Sequence, residues 1–325
     1  MSKVKLHEGF VKALQEKIPQ RAELVNKLSE ILCIEKEPVS RRLSGRVQFS
    51  ANEIGVLSRE LGISLDSLVY KDLHCHWFPL LLKSPLGADS MEVLYDIMYE
   101  SLDAMNDIAG EEMEYGVVFN SLPMEYYVYY PHLMKFMFFK WGHYFVGTDE
   151  FNDFASWELP DRLSDLGEKI ENILAKSEHT LYIWDEALVW TLVNEIEYFY
   201  KMDILKAEDL ENIKNDLKQS LENLERYLSG IYKPEKASKN ISFYVSNMNF
   251  GVSSHYLSSE KGRQYGFKTN FTFSSSVTNS ADFDEIRDWI NSFKNISVLI
   301  SGSGPLDRKL FFIKQYKLID DFLNK

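Results

Sequence analysis

Apolar positions along the chain follow a helical rhythm first and a strand rhythm last. Over residues 6–18, Phe10, Leu14 and Ile18 share one helical face, and Pro19 stops the run. A second helix spans about Gln20 to Leu32, with Ala22, Val25, Leu28, Ile31 and Leu32 turned inward. Pro38 fits only near the start of a third helix, where no amide partner is needed. Val39 and Leu43, four apart, then face the second helix, and Gly45 closes the third in a left-handed cap. Ser50, with Glu53 three residues on, opens a fourth helix through a capping box. Gly62 ends it, and Ile63-Ser64-Leu65-Asp66-Ser67-Leu68 starts a closing turn. The pattern predicts a compact helical bundle over residues 1–70.

Residues 71–88, with the loop Lys83-Ser84-Pro85-Leu86-Gly87-Ala88-Asp89, read as a linker. Residues 89–232 then keep helical spacing, with helices expected at 89–109, 131–146, 161–176, 183–202 and 207–229. In the last, Leu210, Leu217, Leu224 and Ile231 form one line and Leu221 and Leu228 the next. Such a seam packs within a bundle or between protomers. A region of bundled helices that also joins two protomers is expected here. After Lys233 to Asn240 the rhythm changes to period two, and Ser242–Phe250, Val252–Leu257 and Tyr265–Phe273 read as strands. Helices at about 282–293 and 305–323 flank a further strand at Val298-Leu299-Ile300. The fold class expected is mainly α: an N-terminal helix-turn-helix bundle, a central helical bundle, and a small C-terminal α+β module over 241–325 as a possible sensor.

Charge separates these regions. The chain of 325 residues carries a net −13. Residues 1–70 hold 11 Lys and Arg against 9 Asp and Glu, whereas the remainder holds 25 against 40. The bundle is thus the part whose field does not repel a polyanion. Two cysteines, Cys33 and Cys75, imply no disulfide framework, and a cytoplasmic location is expected. Met1-Ser2-Lys3-Val4-Lys5 leads into an amphipathic helix, so no signal peptide is expected. The densest apolar stretch, Met124 to Val146, contains Pro131, Lys135 and Lys140 and reads as core, with no membrane partner.

A helix-turn-helix needs a scaffold helix, a tight turn and a recognition helix whose early residues reach base edges. Here the turn falls at Cys33-Ile34. Lys36, Glu37, Ser40, Arg41 and Ser44 lie away from Val39 and Leu43. Arg41 is suited to guanine and Glu37 to cytosine, while Arg42 and Arg46 are placed for phosphates. The competing reading is an exposed charged helix in a bundle that never meets DNA, which Glu35 and Glu37 support, since both would repel a phosphate.

Residues 7–70 resemble the helix-turn-helix domains of the phage-repressor (XRE/Cro) superfamily. Ser64-Leu65-Asp66-Ser67-Leu68 is similar to the close that follows their fourth helix. Val39-Ser40-Arg41-Arg42-Leu43-Ser44-Gly45 resembles uncharacterised regulators of Bacteroidetes-type bacteria. The likeness continues at Leu122-Pro123-Met124-Glu125-Tyr126-Tyr127, Ile183-Trp184-Asp185-Glu186 and Leu299-Ile300-Ser301-Gly302-Ser303-Gly304-Pro305-Leu306-Asp307-Arg308. The resemblance implies a cytoplasmic, DNA-binding transcription regulator and supplies no ligand.

Other patterns carry less. Ser301, Gly302, Ser303 and Gly304 before a helix, with Arg308 one turn in, form a candidate anion cradle, against which stands a plain helix cap. His74-Cys75-His76 lacks the second ligand pair that a zinc site needs, so no metal is expected. The aromatic run from Tyr126 to Tyr144 reads as core, with an effector pocket as the alternative. No nucleophile–base–orienter set stands out, so neither an enzyme nor a cofactor is expected. The function expected is a dimeric, sequence-specific regulator binding double-stranded DNA, with an unknown small-molecule or protein effector. The alternative is an interaction scaffold whose N-terminal bundle docks a protein.

Overall fold

The computed structural model describes residues 6–65, 68, 90–232, 238–269, 272–277 and 281–323. The chain divides into two compact units, Met1–Pro79 and Leu80–Lys325. The expected linker, 71–88, lies outside the described residues.

The first unit contains α1 (Leu6–Lys17), α2 (Arg21–Leu32), α3 (Lys36–Leu43) and α4 (Ala51–Leu61). Phe10, Leu14, Leu24, Leu28, Val39, Leu43, Phe49, Ile54 and Leu57 make its core. Leu24, off the face that the spacing marks as inward, is 1% exposed, whereas Val25 is half-buried at the core's margin and Ala22 is exposed. The capping box at Ser50 is formed: its hydroxyl accepts from Glu53 N–H, and the Glu53 carboxylate accepts from Ser50 N–H.

The second unit overturns the expected fold class. It is a sheet-centred α/β structure, not a helical bundle followed by a small module. Its elements are α5 (Ser90–Ile108), β1 (Met113–Phe119), α6 (Pro131–Phe145), α7 (Leu166–Leu174), β2 (Ser177–Asp185), α8 (Leu188–Lys201), α9 (Ala207–Leu228), β3 (Asn240–Ser246), β4 (Ser253–Ser259), β5 (Gly262–Thr269), β6 (Thr272–Val277), α10 (Ala281–Ser292), β7 (Ser297–Leu299) and α11 (Pro305–Leu323). The strands form one seven-stranded sheet in the order β6-β5-β4-β1-β2-β3-β7. β1, β2 and β3 run parallel at its centre, and the others pair antiparallel. β1 and β2 come from the stretch expected to be wholly helical, yet they pair with strands of the expected C-terminal module.

The parallel centre explains why those strands escaped. Buried on both faces, such strands lose the polar alternation that marks an exposed one. Tyr115 to Phe119 and Thr180 to Asp185 are buried throughout. Crossovers through α6–α7 and α8–α9 return the chain to parallel neighbours.

One face of the sheet presents Tyr115, Val117, Phe119, Tyr182, Trp184 and Phe243 to the main helical layer, in a single apolar core. The opposite face is covered by α10, where Phe283 meets the ring of Tyr256 edge-on at 6.0 Å. The leucine rows of α9 turn into the main core, leaving Leu210, Leu217, Leu221, Leu224 and Leu228 buried. α9 also caps its neighbour: Asp216 Oδ2 accepts from His132 N–H at 2.7 Å and Leu133 N–H at 3.0 Å, two amides at the proline-started end of α6. Among the described residues no helix is long and apolar enough to cross a membrane.

Candidate functional site

The turn between α2 and α3 is made by Cys33, whose φ of 52° lies in the left-handed region. Its N–H bonds Glu30 C=O, and Ile34 N–H bonds Ser29 C=O at 3.2 Å. Two carbonyls at the end of α2 are thereby satisfied within the turn. Ser29 Oγ donates to Ile34 C=O and braces the same corner. Helix α3 follows after one extended residue, Glu35, and buries Val39 and Leu43. Gly45, at φ 74°, releases the chain, with Arg46 N–H bonding back to Arg41 C=O.

This arrangement leaves Lys36, Glu37, Arg41, Ser44 and Arg46 exposed and Ser40 half-buried. Two of the four cations are already paired within the unit. Arg41 holds Glu37 one turn back, with Nε to Oε1 at 3.1 Å, and both side chains are more than half exposed. Arg42 is different. Its guanidinium grips both oxygens of Glu53, at 3.1 and 2.8 Å, and donates to Pro38 C=O. Side-chain exposures of 20% and 18% make that pair half-buried. Arg42 therefore ties α3 to α4, whereas Lys36, Arg41 and Arg46 carry the accessible charge.

The candidate anion cradle of the second unit is closed by its own chain. Ser301 Oγ accepts from Phe243 N–H at 3.0 Å, and Gly302 N–H donates to Leu228 C=O. Arg308, 8% exposed, donates to Ile300 C=O at 2.8 Å and belongs to the helix start. Gly304 approaches Leu299 C=O so closely that an added Cβ would lie 2.4 Å from the oxygen. Ser303 stays exposed. Among the described residues, no group of three His, Cys, Asp or Glu side chains is placed to hold a metal ion. His74-Cys75-His76 lies outside the described residues.

The aromatic run divides in two. Phe136, Phe138 and Phe139 are fully buried core, whereas Tyr126, Tyr129 and Tyr130 line a cavity of about 520 Å³. Opposite them stand Tyr182 from β2 and Tyr227 from α9. A second chamber of about 110 Å³ adjoins it; Glu125, Ile170 and Leu174 line both. Burial first, and the Glu125 carboxylate with it, hold the Tyr115, Tyr126 and Tyr182 phenols well above their ordinary range. These side chains stay neutral, electron-rich rings across working pH. The run signalled Tyr126, Tyr129 and Tyr130. Tyr182, Tyr227 and Glu171 carry no local sign in sequence, because three separate elements bring them together.

No family model, curated protein or solved structure matches the chain.

Proposed function

We propose that the protein is a sequence-specific DNA-binding transcription regulator, acting in the cytoplasm as a homodimer, with the larger unit receiving a signal. One observation carries the reading. A helix held by Val39 and Leu43 behind a short turn with left-handed Cys33 presents Lys36, Arg41 and Ser44 outward together, with Ser40 half-buried between them. Lys36 and Arg41 address base edges, and Arg46 addresses a phosphate. Two heads in a dimer read a palindrome, and an effector acts by favouring one spacing of them.

The Glu37–Arg41 pair favours a second reading, in which this face docks a protein, because it neutralises half of the presented charge pair. Titration of random duplex DNA at increasing salt separates the two. The regulator loses affinity with a log–log slope of about −0.9 per phosphate contacted. Arg41→Ala with Arg46→Ala abolishes the binding and leaves the helical circular dichroism unchanged. Equal DNA binding by wild type and this double variant would sink the proposal.

A further inference from the structure

We propose that the tyrosine-walled cavity of the second unit binds a hydrophobic organic cation: an alkylated ammonium head in the outer chamber and an apolar tail in the inner one. The outer chamber is large enough for a small ligand and carries six phenol rings, Tyr126, Tyr129, Tyr130, Tyr182, Tyr227 and Tyr232. Faces of such rings attract a cation through their quadrupoles, most strongly where water is excluded. The same wall contains two carboxylates, Glu125 and Glu171, against one guanidinium. That guanidinium, Arg226, is exposed and sits 5.7 Å over the Tyr232 ring at the mouth.

The inner chamber sets the tail. Met98, Leu102, Met105, Val117 and Ile173 line it, with Glu125 at the junction; His255 also reaches this wall, which among the described residues has no lysine or arginine. Methionines adapt to a flexible aliphatic or aryl chain. An anion would meet Glu125 and Glu171. A neutral molecule would gain no charge–charge attraction from them. The phenols do not compete as charged groups, since burial keeps Tyr126, Tyr182 and Tyr227 protonated.

The inference stands on this cavity and not on the reading of α3, and the two fail separately because no DNA enters the experiment. Full-length protein is titrated calorimetrically with (4-phenylbutyl)trimethylammonium and with its tert-butyl isostere, in which carbon replaces the nitrogen. The carboxylate 5-phenylpentanoate is the third probe. Expected is saturable 1:1 binding of the cation at least about tenfold tighter than the isostere, with the carboxylate weakest. Glu171→Gln with Glu125→Gln removes that tenfold preference while leaving isostere binding as it was. Tyr227→Leu, a cavity residue away from the packed core, weakens the cation more than the isostere and guards against misfolding of the double variant. Equal affinity for cation and isostere overturns the proposal. So does the absence of saturable cation binding, or a preference that survives all three substitutions.

Discussion

Arg42 and Glu53 fasten α3 to α4. The Glu53 carboxylate takes two hydrogen bonds from the guanidinium and a third, at 2.8 Å, from Ser50 N–H. It is at once the salt-bridge partner of α3 and the capping-box residue of α4. Burial pushes the Glu53 carboxyl up, but the bonds from Arg42 and Ser50 outweigh that and hold it below its ordinary value of 4.5. A depressed folded value means stability that is fully present above pH 4.5 and lost as pH falls through the folded value. Wild type should therefore lose protection of the α3 amides from hydrogen exchange below pH 4.5. Arg42→Met should cost about 1.5–3 kcal/mol at neutral pH and flatten the acid-dependent part of the profile.

The same geometry splits three arginines by role. Arg41→Ala and Arg46→Ala should each weaken duplex binding and reduce the salt slope by about one, with melting temperature unchanged. Arg42→Ala should lower the melting temperature first. Glu37→Gln should raise affinity for random duplex, since it removes an exposed carboxylate beside Arg41. Fluorescence anisotropy at two salt concentrations reads duplex binding by all four variants, and thermal melting followed by circular dichroism reads their stability.

Cys33 occupies a backbone conformation that glycine enters without steric cost. Cys33→Gly should stabilise the first unit by up to about 1 kcal/mol, whereas Cys33→Val should destabilise it. The measurement is the protection of Leu28 and Leu32 amides in α2.

Gly116 in β1 lies under the Tyr256 ring, and an added Cβ would sit 2.1 Å from the nearest ring carbon. Tyr256 cannot swing away freely, because its hydroxyl accepts from Asn291 Nδ2 at 3.2 Å. Gly116→Ala should cost about 1–3 kcal/mol by thermal melting of the second unit. Tyr256→Phe in the same chain should recover part of it by releasing the ring from Asn291.

Lys140 and Glu195 make an ion pair between α6 and α8 in which the lysine side chain is 10% exposed and the glutamate 32%. Removing the acid strands a desolvated ammonium, whereas removing both charges does not. Glu195→Ala should thus destabilise the chain more than Lys140→Met with Glu195→Leu. A double-mutant cycle by urea denaturation checks the order; equal losses would show that water already solvates the lysine.

The first unit was legible because its signals are local. Pro38, Gly45, the Ser50–Glu53 box and the spacing of Val39 and Leu43 each act within a few residues, and the structure places helices where they fall. Even there, sequence could not tell that Arg42 turns toward Glu53 instead of outward, since eleven residues separate the partners. In the second unit the chain by itself determined where most helices lie and that α9 carries a leucine seam. It did not determine the class of fold. Tyr115–Phe119 and Leu181–Trp184 are short apolar runs with no alternation of their own, and only a sheet covered on both faces gives such runs a partner. Tertiary structure likewise decided which tyrosines stay in the core and which wall a cavity. That choice depends on β2 and α9 meeting the loop after β1, contacts no window of sequence contains.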